Sequence, residues 1–342
     1  MKERVSIFPY VLLGIPVLVA LVLYGLGRDL GAAERALLER ASASFYELTS
    51  APYSPLYLLA LHLWSSISQN PFWLHLSGVL AGLVALILSV HFLRHLGGAH
   101  ATPGALLLLA ASPFFVGQVH LLSATPASLV AVLVCFLCFL QYTRSGSLNW
   151  LGGWTLATLL AWGIHAGLGY MLVVQWVYMV AYREHHRGRL LFWWLAQIPL
   201  TVFFLLVFGG IVRDVLTIRL PAVAGAQLLR QAADLFGLMS ANLPPPVGLV
   251  GGAFFLFLLG SGVWTCRDWR RDPRHGLVLL GFAVPFLLWL SPVGHAAYAL
   301  AALPCLLALV SMGLRLYPRW VRQLLWSLVG ATYLWGYWYL YQ

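Results

Sequence analysis

Charge is what this sequence has least of. Only 9% of its 342 residues are Asp, Glu, Lys or Arg, against about 25% in an ordinary soluble domain. So thin a polar coat excludes a soluble globular fold, and it excludes a disordered chain, which stays open through high charge and low hydrophobicity. Cysteine is also scarce, with four in the whole chain, which excludes a disulfide scaffold. Glycine follows no three-residue period, so a collagen-like strand is excluded. Lysine is nearly absent: Lys2 stands against nineteen arginines, a bias that reads as genomic rather than functional. No tail, linker, low-complexity tract or internal repeat is found.

What is present is apolar. Hydrophobic residues make up 61% of the chain and the mean hydropathy is +0.85. The chain is therefore expected to be an all-α polytopic membrane protein. A bilayer core of roughly 30 Å needs about 20 apolar helical residues. On that criterion about eleven transmembrane helices are expected, near 8–26, 74–96, 102–120, 124–143, 149–164, 167–183, 189–210, 247–266, 276–291, 295–314 and 320–340. Prolines inside them (Pro113, Pro199, Pro285, Pro304) are tolerated where neighbouring helices satisfy the freed backbone. The division between 149–164 and 167–183 is the weakest. The apolar run Ile7 to Gly25 is too long for a signal h-region and reads as a retained anchor.

The formal charge of +10 locates the ends. With the N-terminus cytoplasmic, alternation puts fourteen basic residues inside and six outside, as the positive-inside rule requires, and leaves the C-terminus outside. The inner basic residues meet four acids, whereas the six outer arginines meet six acids (Asp29, Glu34, Glu39, Glu47, Asp214, Asp234). The basic balance thus reports topology in a cell (inner) membrane and contact with anionic lipid, not a nucleic-acid partner. With all charges in loops or at helix ends, no mid-membrane carboxylate offers the relay that a transporter needs.

Two outer segments are long enough to carry chemistry. Within the first (27–73), residues 29–48 are amphipathic, and 55–68 are apolar but too short to span, suited to lying at the interface. The second (211–246) holds a helical stretch around 222–238 ended by Pro244-Pro245-Pro246. Cys135-x-x-Cys138 sits mid-helix without further ligands and reads as packing. His185 and His186 read as solvated loop residues. His62, His75, His120, His165 and His295 fall on or near the outer half. They admit three readings: satisfied hydrogen bonding between helices, a polar substrate cavity, or ligation of a haem or pigment.

Residues 53–98, YSPLYLLALHLWSSISQNPFWLHLSGVLAGLVALILSVHFLRHLGG, resemble the first outer loop and second span of the GT-C glycosyltransferases, in the protein O-mannosyltransferase and aminoarabinose-transferase branch. Collinear likenesses follow at Ser112-Pro113-Phe114, at Trp162 to His165, and at SPVGHAAYALAALPCLLAL (291–309). The resemblance implies a GT-C-like core module over 1–210 (seven spans, with interfacial helices at 29–68), an outer loop at 211–246 and a four-span segment at 247–342. It implies an enzyme that takes a hexosyl or pentosyl group from a polyprenyl-phosphate donor on the outer face. An outer-loop carboxylate then serves as base or as ligand to a divalent metal, and cations receive the departing lipid phosphate.

The resemblance also has gaps. The Asp-Glu pair after span one is missing, leaving Asp29 as the candidate catalytic carboxylate and metal ligand and Glu34 as a second. Asp29 reads equally as the cap of the amphipathic helix. Glu34-Arg35 and Glu39-Arg40 read as a solvated face. The second acidic site maps onto Leu121 and Ser123, both uncharged, and His-Pro-Pro has become Tyr53-Ser54-Pro55. Candidates for binding substrate or lipid phosphate are His120, His165, Arg219, Arg213, His295 and Tyr53. Arg213 and Arg219 read also as plain loop charges, pairing with the acids there. The chemistry thus stands against two other readings: a catalytically silent GT-C-like scaffold in a larger membrane complex, and a cofactor- or pigment-binding subunit.

Overall fold

The computed structural model describes residues 26–43, 54–217, 247–290 and 296–340, with the side chains at 97–101, 209–217, 247–249 and 290 excepted. The expected span near 8–26, the stretch around 222–238, and Tyr53, Arg219 and His295 lie outside the described residues. Among those described, helices dominate and no strand occurs. The chain forms two compact units, each discontinuous in sequence. One comprises Tyr24–Leu88 and Val119–Arg219; the other comprises Met1–Leu23, Ser89–Gln118 and Leu220–Gln342.

In the first unit, α1 (Ala32–Ala41) and α2 (Pro55–Ile67) carry the amphipathic pattern of the outer loop. Ala41, Leu58, Leu61, Leu74 and Leu122 form their buried seam, with Leu37 and Leu38 packed against it. Arg35, Glu39 and Arg40 face outward. Leu63 and Ile67 are left exposed on the other side of α2, as suits a short helix lying in the interface. His62 Nδ1 sits 2.7 Å from the Ala41 carbonyl and so closes the end of α1.

Helix α3 (Pro71–Ala110) starts with Pro at its first position and Asn70 Oδ1 accepting the Phe72 N–H at 2.9 Å. Trp64 and Trp73 stack at 4.4 Å, and each indole N–H donates to the other's carbonyl, at 2.8 and 3.0 Å. That reciprocal pair sets the corner between α2 and α3. The expected boundary between 96 and 102 does not break the helix. The break comes at Ala111-Ser112, where α4 (Pro113–His120) begins. Pro113 has no N–H to donate there, and Ser112 Oγ accepts from Phe115 N–H at 3.3 Å. The segments Thr102–Ala110 and Pro113–His120 are bent by 50°.

Helices α5 (Thr125–Ser145) and α6 (Leu148–Ile164) form a hairpin closed by Gly146 at φ 68°, the left-handed C-terminal residue that glycine adopts most easily. The uncertain division between the next two expected spans is real. His165 is extended (φ −157°, ψ 110°) and its Nδ1 accepts from Gly167 N–H at 3.1 Å. A 3-10 turn then leads to α7 (Tyr170–Ala181), and a second turn to α8 (Arg187–Thr217). His186 in that second turn is buried against Tyr178, not solvated as expected. Cys135 faces Thr158 Oγ1 at 3.3 Å and receives Gln175 Nε2 at 3.5 Å. The thiol therefore belongs to a polar contact between helices.

In the second unit, α9 (Val247–Thr265), α10 (Pro273–Leu290), α11 (Ala296–Leu314) and α12 (Arg319–Leu340) follow in order. The alanine-rich α11 is almost wholly buried. It meets α9 glycine to glycine: a Cβ on Gly313 would lie 2.6 Å from Gly262 N.

Four helical stretches are long and apolar enough to cross a bilayer: Pro71–Leu96, Thr125–Ser145, Arg183–Phe208 and Ala296–Leu314, or five counting the bent pair. The chain is an integral membrane protein. Several other expected spans are helices too short to meet that criterion, such as Ala166–Ala181 and Val250–Thr265, so the expected eleven reduce to four or five by this measure among the described residues.

Candidate functional site

The acids of the segment 26–43 separate sharply. Glu34, read from sequence as part of a solvated face, is 5% exposed. Its Oε1 accepts from Arg28 Nη2 at 2.6 Å and from the Leu122 N–H at 2.8 Å, and lies 3.3 Å from His75 Nε2. Its Oε2 accepts the Gly31 N–H at 2.8 Å. A buried carboxylate is tolerable only with such partners. Burial pushes its pKa up. The His75 contact, the Leu122 and Gly31 amides and the Arg28 guanidinium outweigh that and bring it down to about 2. Burial, helped by the same carboxylate, pushes the Tyr57 phenol up and keeps it protonated.

Three stretches of chain meet at Glu34. The first is 26–31, held also by Arg35 Nε to the Leu30 carbonyl at 2.9 Å and by His75 Nδ1 near the Leu26 carbonyl at 3.4 Å. The second is α3, through the buried His75. The third is the turn 121–124 after α4, where Arg28 also approaches the His120 carbonyl at 3.5 Å. This turn comes close because α3 carries glycine against it: a Cβ on Gly78 would lie 2.5 Å from the Val119 carbonyl oxygen.

Asp29 lies between two of the anchored positions, Arg28 and Gly31, and its side chain is exposed. The expectation that it caps α1 is not met. The N-cap is Gly31, and the reciprocal side-chain bond comes from Glu34 at the third helical position, half of a capping box. Of the other candidates, the structure brings His120, buried, beside the Glu34 cluster through its backbone. His165 is buried at the α6–α7 break, where it forms the turn. Arg213 lies within α8, its side chain outside those described. Sequence reasoning missed Arg28 and did not pair His75 with an acid. The Gly31-x-x-Glu34 spacing was the one local signal for the cluster.

No protein-family model and no curated protein matches this sequence. Solved structures do match. ArnT from Cupriavidus metallidurans bound to undecaprenyl phosphate superposes with a TM-score of 0.64 at 16% identity, covering 94% of this chain and 63% of ArnT. The fold is GT-C-like. The apo form of ArnT gives 0.64 at 14% identity, covering 91% of this chain and 60% of ArnT. The Archaeoglobus fulgidus oligosaccharyltransferase, tethered to an acceptor peptide containing the NVT sequon, gives 0.53 at 12% identity, covering 96% and 54%. The chain thus spans less than two-thirds of the length of each of these.

The Glu34 cluster joins the segment 26–34 to the turn after α4. In that turn Leu121 and Ser123 stand where the resemblance expects an acid and an arginine, and Glu34 brings a carboxylate there from the first loop. The described residues form no ready ligand set for a divalent metal. No three His, Cys, Asp or Glu side chains among them converge as a ligand set, and the Glu34 oxygens already face four donors.

Proposed function

We propose that this GT-C-like protein is a membrane glycosyltransferase that uses a polyprenyl-phosphate-linked sugar on the outer face of the cell's inner membrane, with its N-terminus cytoplasmic and its C-terminus outside. The observation that carries the reading is Asp29, an exposed carboxylate on a loop whose neighbours Arg28 and Gly31 are both bound by Glu34. The ArnT structure with undecaprenyl phosphate supports the donor class.

In this mechanism Asp29 takes the proton of an acceptor hydroxyl. The oxygen attacks the anomeric carbon, the bond from that carbon to the lipid phosphate oxygen breaks, and the phosphate leaves with the electron pair. Arg28, with 41% of its side chain exposed beside Asp29, and Arg213 and Arg219 receive that charge. His120, His165 and Tyr53 contribute polar contacts to the sugar. Glu34, saturated by its four partners, holds the loop and does not act as base.

The absent charges at 121 and 123 favour a second reading, a silent scaffold that retains the fold within a membrane complex. Turnover of radiolabelled polyprenyl-phosphate sugars in proteoliposomes separates the two. Transfer by the wild type and its loss in Asp29→Asn support the enzyme. Equal transfer by both removes Asp29 as base, and transfer by neither, across pentosyl and hexosyl donors, favours the scaffold.

A further inference from the structure

Two short turns of the second unit emerge at one end of the helix pair α9–α11. Ser261 Oγ lies 2.7 Å from Tyr317 Oη, and Gly262 adjoins Gly313, so the carboxyl ends of both helices are side by side. The turn 266–272 and the start of α10 carry Arg267, Arg270, Arg271 and Arg274, all exposed. The turn 315–318 and the start of α12 add Arg315, Arg319 and Arg322. Only Asp268 and Asp272 oppose them, and none of the seven arginines forms an ion pair with a described acid.

Aromatic rings accompany this charge. Trp264, Trp269 and Trp320 are 64%, 38% and 70% exposed. The guanidinium of Arg267 lies 5.6 Å from the Trp264 ring centre, and that of Arg270 lies 5.5 Å from Trp269. Stacking on an indole orients the guanidinium plane and leaves its N–H edges free, the arrangement suited to bidentate contact with a phosphate. The surface lies at the carboxyl ends of the apolar helices α9 and α11, of which α11 is long enough to cross a bilayer, and indoles at such helix ends settle among headgroups. Charge, planar donors and depth select one occupant.

We infer that this end of α9–α12 is a binding surface for anionic phospholipid headgroups of the protein's own bilayer. It needs no sugar donor, so it stands or falls apart from the proposed transferase activity. The test is lipid selectivity of the full chain in phosphatidylcholine vesicles, read as the share of motionally restricted spin-labelled phosphatidylglycerol over spin-labelled phosphatidylcholine. The wild type should prefer phosphatidylglycerol several-fold. Arg270→Gln/Arg271→Gln/Arg319→Gln/Arg322→Gln should bring the ratio near one, and the milder Arg270→Gln/Arg271→Gln, at exposed positions, should lower it part-way. Arg183→Gln/Arg187→Gln in the other basic turn should leave it unchanged. The inference is overturned if the quadruple variant keeps the preference, if the control pair loses it equally, or if soluble glycerophosphate abolishes it at concentrations matching the lipid.

Discussion

The carboxylate of Glu34 accepts the backbone N–H of Leu122 at 2.8 Å, joining points eighty-eight residues apart in the chain. This contact carries the segment 26–34 onto the turn after α4. It also explains why an acid in a run of charged residues is buried: the same group caps α1, pairs with Arg28 and faces His75. A substitution there acts on three stretches of chain at once.

Glu34→Gln should therefore cost about 3 kcal/mol, since it leaves Arg28 and His75 without their acid. Arg28→Ala should cost less, on the order of 1 kcal/mol, because that side chain is 41% exposed and water screens the pair. Thermal unfolding in detergent, followed by helicity, checks the order. Equal losses would show that the carboxylate is not the centre of the cluster.

Acid should weaken the same contact. The folded pKa of Glu34, about 2, lies below its ordinary 4.5, so folding favours the ionised form. Its contribution, about 3 kcal/mol at most for that difference, is complete above about pH 4.5 and is lost as the pH falls toward 2. Melting curves between pH 6 and pH 3 should slope in the wild type and be flatter in Glu34→Gln.

Asp29→Asn separates chemistry from stability. Asp29 is exposed, so its melting temperature should stay within the effect of about 0.5 kcal/mol typical of surface changes. Transfer, if Asp29 is the base, should fall by about two to four orders of magnitude. A parallel fall in stability would mean that the residue serves the fold.

Glycine positions give a paired prediction. Gly78→Ala puts a Cβ 2.5 Å from the Val119 carbonyl oxygen, an overpacking that should cost about 1–3 kcal/mol. Gly152→Ala in α6 meets nothing within 4 Å and should stabilise by about 0.5–1 kcal/mol through helix propensity alone. Melting temperatures of the two single variants, moving in opposite directions, check both.

Membrane residence, the helical class and the interfacial helices of the outer loop were determined by the sequence alone. They depend on hydropathy summed over a window, and a sum does not need to know its neighbours. The break at His165 was also legible, because polar and small residues interrupt an apolar run there. The extension of α3 to Ala110 was not. Gly97, Gly98 and Pro103 suggest a boundary locally, but the backbone turns instead at Ser112-Pro113.

The candidate site was decided by tertiary structure. Glu34 next to Arg35 has the local pattern of a solvated helix face. Its burial comes from His75, forty-one residues away, and from the amide of Leu122, which no side-chain reading registers. Asp29 looks like a helix cap until Gly31 and Glu34 take that role. Local pattern reports what a residue prefers beside its neighbours in sequence. A buried charge depends on donors brought from elsewhere in the fold, and only packing brings them.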